Sequence, residues 1–219
     1  MNHRKSKIIL IVLSLVLGLA ALQVPLTHLA GSKISFSLFD SFAPALGGIV
    51  GTLGGAIVVL AVEVANLVIH GAAPLGWIGL VHLLPPVAAT IYFSRKSRFN
   101  YFVPVAAILV FITSPTGHQV WYYSLYWLIP AVANFWHRKL WARSLGASFF
   151  AHAAGGAFWV YLVPLPKAVW VGLIPIVAGE RLLFAAGIAV SSFALANILR
   201  ALKNHAPALT KTAHELHSH

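Results

Sequence analysis

The chain contains no cysteine among its 219 residues, which excludes disulfide frameworks, thiolate catalysis and Cys-ligated zinc or iron–sulfur centres. Acidic residues are nearly as scarce: four Asp and Glu stand against 15 Lys and Arg, for a formal net charge of +11. Charged residues of both signs make up only 9% of the sequence, where a soluble domain carries about 25%. No Gly-x-x-x-x-Gly-Lys-Ser/Thr loop is present, so the chain cannot bind and hydrolyse ATP in the P-loop manner. A Gly-x-Ser-x-Gly nucleophile elbow is also missing, which leaves hydrolase chemistry without its commonest signature.

What fills the sequence instead is apolar. Hydrophobic residues account for 59% of it and mean hydropathy is +0.85. Apolar stretches recur along the whole length, so residues 1–203 read as a single polytopic membrane domain, followed by a polar, His-containing tail over 204–219. The excess positive charge sits at segment ends: Arg4, Lys5 and Lys7; Arg95, Lys96 and Arg98; Arg138, Lys139 and Arg143; Arg200 and Lys203. That distribution suits orientation in a membrane and contact with anionic headgroups, and gives no nucleic-acid footprint.

The pattern predicts an all-α integral membrane protein of six transmembrane helices. Helix 1 is expected over Lys7–His28 and helix 2 over Phe42–His70, the latter as one tilted span. Helix 3 follows the Gly71–Pro74 turn and runs to Phe93. Tyr101–Trp136 is too long for one simple crossing and is interrupted by Ser114-Pro115-Thr116-Gly117. It is one kinked helix or two short ones, and a double crossing would make seven spans. Helix 5 is expected over Leu140–Val163, a turn at Pro164-Leu165-Pro166, and helix 6 over Lys167–Lys203.

Six spans put both termini on the cytoplasmic side of the plasma membrane. Three of the basic clusters agree with that orientation, and Arg95–Arg98 opposes it. Asn2–Lys7 followed by Ile8–Leu22 also describes a signal peptide, but the apolar run continues past Val24 without a small-x-small site, which favours a retained helix. The loop Gly31–Asp40 lies outside either way. Within helix 2, Gly47, Gly51 and Gly55 recur every fourth residue and form a bare face for close helix docking, on this chain or on a partner.

The order of these features resembles the substrate-binding S-components of energy-coupling factor (ECF) transporters, which import vitamins and related micronutrients. The resemblance rests on the loop Lys33-Ile34-Ser35-Phe36-Ser37-Leu38 leading into the Gly-rich Pro44–Gly55. It rests also on the small-residue segment Ser144–Val163 closing with Pro164-Leu165-Pro166, and on Leu173-Ile174-Pro175-Ile176-Val177-Ala178-Gly179-Glu180 opening a long last helix. It implies a six-helix protein that captures a vitamin-like small molecule beneath external loops. A transmembrane coupling subunit and two ATPase subunits would be its partners. It further implies docking through small residues on the first helix, where Ser14 and Gly18 are the nearest match.

Ionisable groups within spans cost about 2.5–3.5 kcal/mol each at mid-membrane and so tend to be paired or functional. Glu180 and His152 fall at similar depth on neighbouring helices, where a carboxylate and an imidazole could hydrogen-bond a substrate amine, amide or heterocyclic nitrogen. The alternative is a structural ion pair, with Arg181 joined to Glu63 or Glu180; for Glu63 and Arg181 that pairing is the expectation. His82 is a further ionisable group in a span. Trp121, Tyr122, Tyr123, Tyr126 and Trp127 form an aromatic cluster, and Trp159 and Trp170 flank the Pro164–Pro166 turn. These rings suit an interfacial belt; Trp121, Tyr126 and Trp159 are also candidates for stacking on a flat substrate.

Eleven histidines invite a metal or haem reading, but His70, His82, His118 and His152 fall on separate segments and no His-x-x-x-His or Glu-x-x-His pair occurs on a helix. No metal or cofactor is therefore expected. Ser148 and His152 lie one helical turn apart, and without an oxyanion donor or an orienting acid they do not make an enzyme. A histidine-based metal or haem protein and an intramembrane enzyme remain the alternatives to transport.

Overall fold

The computed structural model describes the backbone of residues 3–28, 35–70 and 76–216, and the side chains of 11–28, 35–69 and 76–201. Helices dominate it, with one small hairpin of strands. The first helix, α1 (His3–Leu22), ends well before the expected His28. Pro25 lacks an N–H and pushes the preceding residue into extended backbone, so Pro25–His28 becomes strand β1. It pairs antiparallel with β2 (Ser35–Ser37) in the register Thr27↔Phe36 and His28↔Ser35. The loop expected over Gly31–Asp40 thus contains a strand, and its last three residues, Leu38–Asp40, already belong to the next helix; residues 31–34 lie outside the described ones.

Ser37 and Asp40 then start α2 (Leu38–Val50) with a capping box: the Ser37 hydroxyl accepts from Phe39 N–H at 3.2 Å, and Ser37 N–H donates to Asp40 Oδ2 at 2.7 Å. This satisfies amides that a helix start leaves without partners.

The second span is not one tilted helix. Gly51 adopts φ +93°, a left-handed conformation open to glycine and strained for other residues. The chain breaks there between α2 and α3 (Thr52–His70). Gly47, Gly51 and Gly55 therefore do not form one continuous face. Gly47 and Gly55 meet instead across the break: a Cβ on Gly55 would lie 2.6 Å from Gly47 Cα. Gly47 also lies against the backbone of Thr90, where a Cβ would sit 2.6 Å from its carbonyl oxygen. Gly51 faces open space. Two of the three glycines thus serve packing within the chain.

Two helices follow, α4 (Gly76–His82) and α5 (Leu84–Ser94), the second opening with Pro85 and Pro86 in its first turn, where proline is tolerated. The long Tyr101–Trp136 region divides where the sequence indicated. It forms α6 (Phe99–Thr113), α7 (Pro115–Gln119), a 3₁₀ segment Trp121–Trp127, α8 (Leu128–Ala133) and a 3₁₀ turn Asn134–Trp136. The Ser114 hydroxyl caps α7 by accepting from Gly117 N–H at 2.9 Å. Asn100 Nδ2 donates to Asn134 Oδ1 at 2.9 Å and ties α6 to the end of this region. The chain closes with α9 (Leu140–Leu162) and α10 (Lys167–Leu216), so the backbone stays helical past the expected end at Lys203.

Helix α9 is the centre of the molecule. It packs on α5, α6, α8 and α10, and α2 packs in turn on α5 and α10. Among the described residues four segments are long and apolar enough to cross a membrane: Thr52–Ile69, Gly76–Ser94, Leu140–Leu162 and Lys167–Ala201. The outer surface is correspondingly apolar, with Leu53, Trp77 and Phe102 each 75% exposed. An all-α protein embedded in a membrane explains both observations, because lipid rather than water covers those side chains.

Candidate functional site

A cavity of about 90 Å³ opens between α9, α10, the start of α5 and the strand hairpin. Its wall combines rings and aliphatic groups (Phe36, Tyr123, Trp159, Trp170, Leu173, Val177) with His28, His82, His152, Glu180 and Arg181. Helical periodicity explains the α10 contribution: Leu173, Ile176, Val177 and Glu180 recur at three- and four-residue spacing and share a face. On α9, His152, Gly155, Gly156 and Trp159 do the same. Gly156 lets Trp127 come close, since a Cβ there would lie 2.7 Å from its ring.

The aromatic side of the wall is a connected assembly. Phe111 lies between Tyr123, Trp127 and Trp170, with ring centroids 5.2–5.8 Å away. Trp170 meets Tyr123 edge-on at 4.9 Å. His152 is held at both ring nitrogens. Trp127 Nε1–H donates to Nδ1 at 3.0 Å, and Nε2 lies 3.1 Å from the Tyr123 hydroxyl. Indole is a donor only, so Nδ1 must accept. The neutral ring then carries its proton on Nε2 and donates to Tyr123 Oη. The hydroxyl keeps its own hydrogen to give elsewhere.

The charged side consists of Glu180 and Arg181. Arg181 Nη2 donates to Glu180 Oε2 at 2.8 Å, and the side chains are 4% and 13% exposed respectively. Thr27 on β1 donates to Glu180 Oε1, joining the hairpin to α10. The guanidinium also lies over the rings of Phe36 and Phe184, at 4.5 and 4.6 Å. Charge cancels within the pair, the condition under which two ions can be kept out of water.

Glu180, His152 and Trp159 all line this one cavity, so three of the five substrate candidates come together. The other two do not join them. Trp121 is exposed, and Tyr126 stacks on Phe149 while its hydroxyl donates to the Ile174 carbonyl at 3.0 Å. The expected Glu63–Arg181 pair does not form, because Glu180 is the immediate neighbour of Arg181 and takes its Nη2. Glu63 is buried on α3.

Ser148 gives its hydroxyl to the Arg181 carbonyl at 2.8 Å rather than to His152. Ser14 and Gly18, which the resemblance suggested for subunit docking, are turned inward. Ser14 is 5% exposed, and a Cβ on Gly18 would meet Phe39 and Val62 at 3.0 Å. Among the described residues, no three His, Asp or Glu side chains gather as a metal-ligand set.

Sequence reasoning passed over Phe36, Tyr123, Trp170, His82 and Arg181 as cavity-wall residues. Trp170 and Tyr123 were legible as members of aromatic groups, and Arg181 as a costly charge in a span. Their convergence depends on how the hairpin and the 3₁₀ segment fold back onto α9 and α10, which no local pattern carries. No family model, curated protein or solved structure matches this chain.

Proposed function

We propose that this protein is the membrane-embedded substrate-binding subunit of an ECF-type importer, a six-span protein that captures a vitamin-like small molecule from outside. The observation that carries the reading is the cavity roofed by β1 and β2, with rings on one side and the Glu180–Arg181 pair on the other. Ionisable residues inside a membrane are costly, rare and functional by default, and aromatic walls with a few polar groups are what small-molecule sites present. The bond from Thr27 to Glu180 ties the hairpin to the cavity wall, which supports reading the hairpin as the lid of the site.

Release of cargo then requires the protein to reorient against a transmembrane coupling subunit, in the alternating-access manner of gating around a fixed site. With no P-loop in the sequence, the energy comes from separate ATPase subunits. The test is a pull-down of tagged protein from native membranes in mild detergent, with co-purifying proteins identified by mass spectrometry. Recovery of a membrane coupling subunit with two ATPases is expected. Repeated recovery of the chain alone would overturn the proposal.

A further inference from the structure

Taking the cavity as the cargo site, its unused hydrogen-bonding groups define the cargo. Among the described residues, six buried side-chain nitrogen or oxygen atoms make no hydrogen bond, and three of them sit on residues that line this cavity: His82 Nε2, Trp170 Nε1 and Arg181 Nε. Trp170 and Arg181 are 2% and 3% exposed and these two nitrogens have almost no free surface, so water does not meet their N–H groups and an acceptor reaches them only as the wall yields to the ligand. Both groups are donors only. The Tyr123 hydroxyl adds a third donor, because its oxygen accepts from His152 and its hydrogen remains to be given. Buried donors without acceptors are costly, and a cluster of them on one wall is relieved by a ligand that brings the acceptors.

Charge and shape narrow the class further. Glu180 and Arg181 already cancel, so an anionic cargo would add an uncompensated charge inside the membrane. A cationic cargo would bring more donors to a wall already rich in them, and would have to share the Glu180 oxygens with Arg181 and Thr27. The flanking surfaces are Phe36, Trp159, Trp170, Leu173 and Val177, which suit a flat apolar body.

We infer that the cavity takes a neutral, flat ring compound bearing hydrogen-bond acceptors, carbonyl oxygens or ring nitrogens, which Arg181, Trp170 and Tyr123 meet as donors. The inference rests on the transport reading for its physiological meaning, but its chemistry is tested apart from it.

The experiment uses the purified full chain in lipid nanodiscs and three soluble probes of one size: benzamide, benzoate and benzylamine, the last protonated at neutral pH. Binding is read by saturation-transfer NMR. Benzamide is expected to bind, with benzoate and benzylamine at least about tenfold weaker, the factor that one hydrogen bond of ordinary strength supplies. Trp170→Phe, which keeps a ring but removes the N–H, should narrow the preference for benzamide over benzylamine about tenfold. A packing defect alone would weaken all three probes equally and leave their order intact.

Strongest binding by benzylamine would make Glu180 the recognition group and overturn the inference. Equal binding of the three probes, or binding of none, would overturn it as well. If Trp170→Phe does not fold, the ranking on the unmodified chain still decides. Loss of the ranking with recovery of the coupling subunit would retain the importer and discard the cargo class. The converse result would retain the cavity chemistry and discard the importer.

Discussion

Replacing Gly55 by alanine should separate two helices at the point where they touch backbone to backbone. The added Cβ would lie 2.6 Å from Gly47 Cα and 2.8 Å from Gly47 N. Carbon atoms in good contact stay about 3.5–4.0 Å apart, so α3 must move from α2 by roughly 1 Å. No flexible side chain can absorb that shift, because both contacted atoms are backbone. The movement opens the packed group Phe39, Ala43, Leu46, Val58, Val59 and Val62 that joins the two helices. Overpacking of this kind costs about 1–3 kcal/mol.

Gly48→Ala is the internal control, since its Cβ would meet only the Phe93 ring at 3.4 Å. Equilibrium unfolding in mixed micelles of mild detergent and dodecyl sulfate, followed by circular dichroism, measures both variants. Gly47→Ala should also destabilise, through a different contact, because its Cβ would lie 2.6 Å from the Thr90 carbonyl oxygen on α5. Equal stability of Gly55→Ala and Gly48→Ala would refute the account of these glycines as an internal contact.

Three further outcomes follow from the geometry. Glu180→Gln should cost about 3–5 kcal/mol, because it leaves the Arg181 guanidinium buried without its counter-ion. Glu180→Gln combined with Arg181→Met should recover most of that loss in the same unfolding assay, and a double variant no better than the single one would dismiss the pair as a structural element. Trp127→Phe removes the donor to His152 Nδ1 and should cost at least about 1 kcal/mol; melting followed by circular dichroism reads it, and an unchanged melting temperature would count against the His152 assembly.

The third concerns His137, between the membrane segments, whose Nε2–H donates to the Tyr92 carbonyl at 2.7 Å. Burial holds its pKa below the ordinary 6.5. The unfolded chain therefore binds the proton first, and stability present above pH 6.5 should fall as the pH drops below it. Comparing unfolding at pH 7.5 and 5.5 in wild type and His137→Gln checks the sign: the pH-dependent loss should shrink in the variant.

Much of the architecture was legible in the residues, because lipid imposes local rules. A helix across a membrane must be long, apolar and internally hydrogen-bonded, so Leu140–Leu162 and the start of α10 at Lys167 stand where hydropathy and the Pro164–Pro166 turn put them. The break at Ser114 announced itself through Pro115 and Gly117. The break at Gly51 did not, since glycine is common in membrane helices and only its φ of +93° shows that the chain turns there.

Length and polarity by themselves determined a membrane-embedded, helical protein without a P-loop or cysteine chemistry, because composition and periodicity are properties of the chain. Which polar groups meet was decided by the fold alone. Thr27 reaches Glu180 across 153 positions and His152 is held from positions 25 and 29 residues away. Hydrogen bonds form between groups about 3 Å apart in space, and sequence spacing says nothing of that distance once a hairpin and a 3₁₀ segment have folded back over the helices.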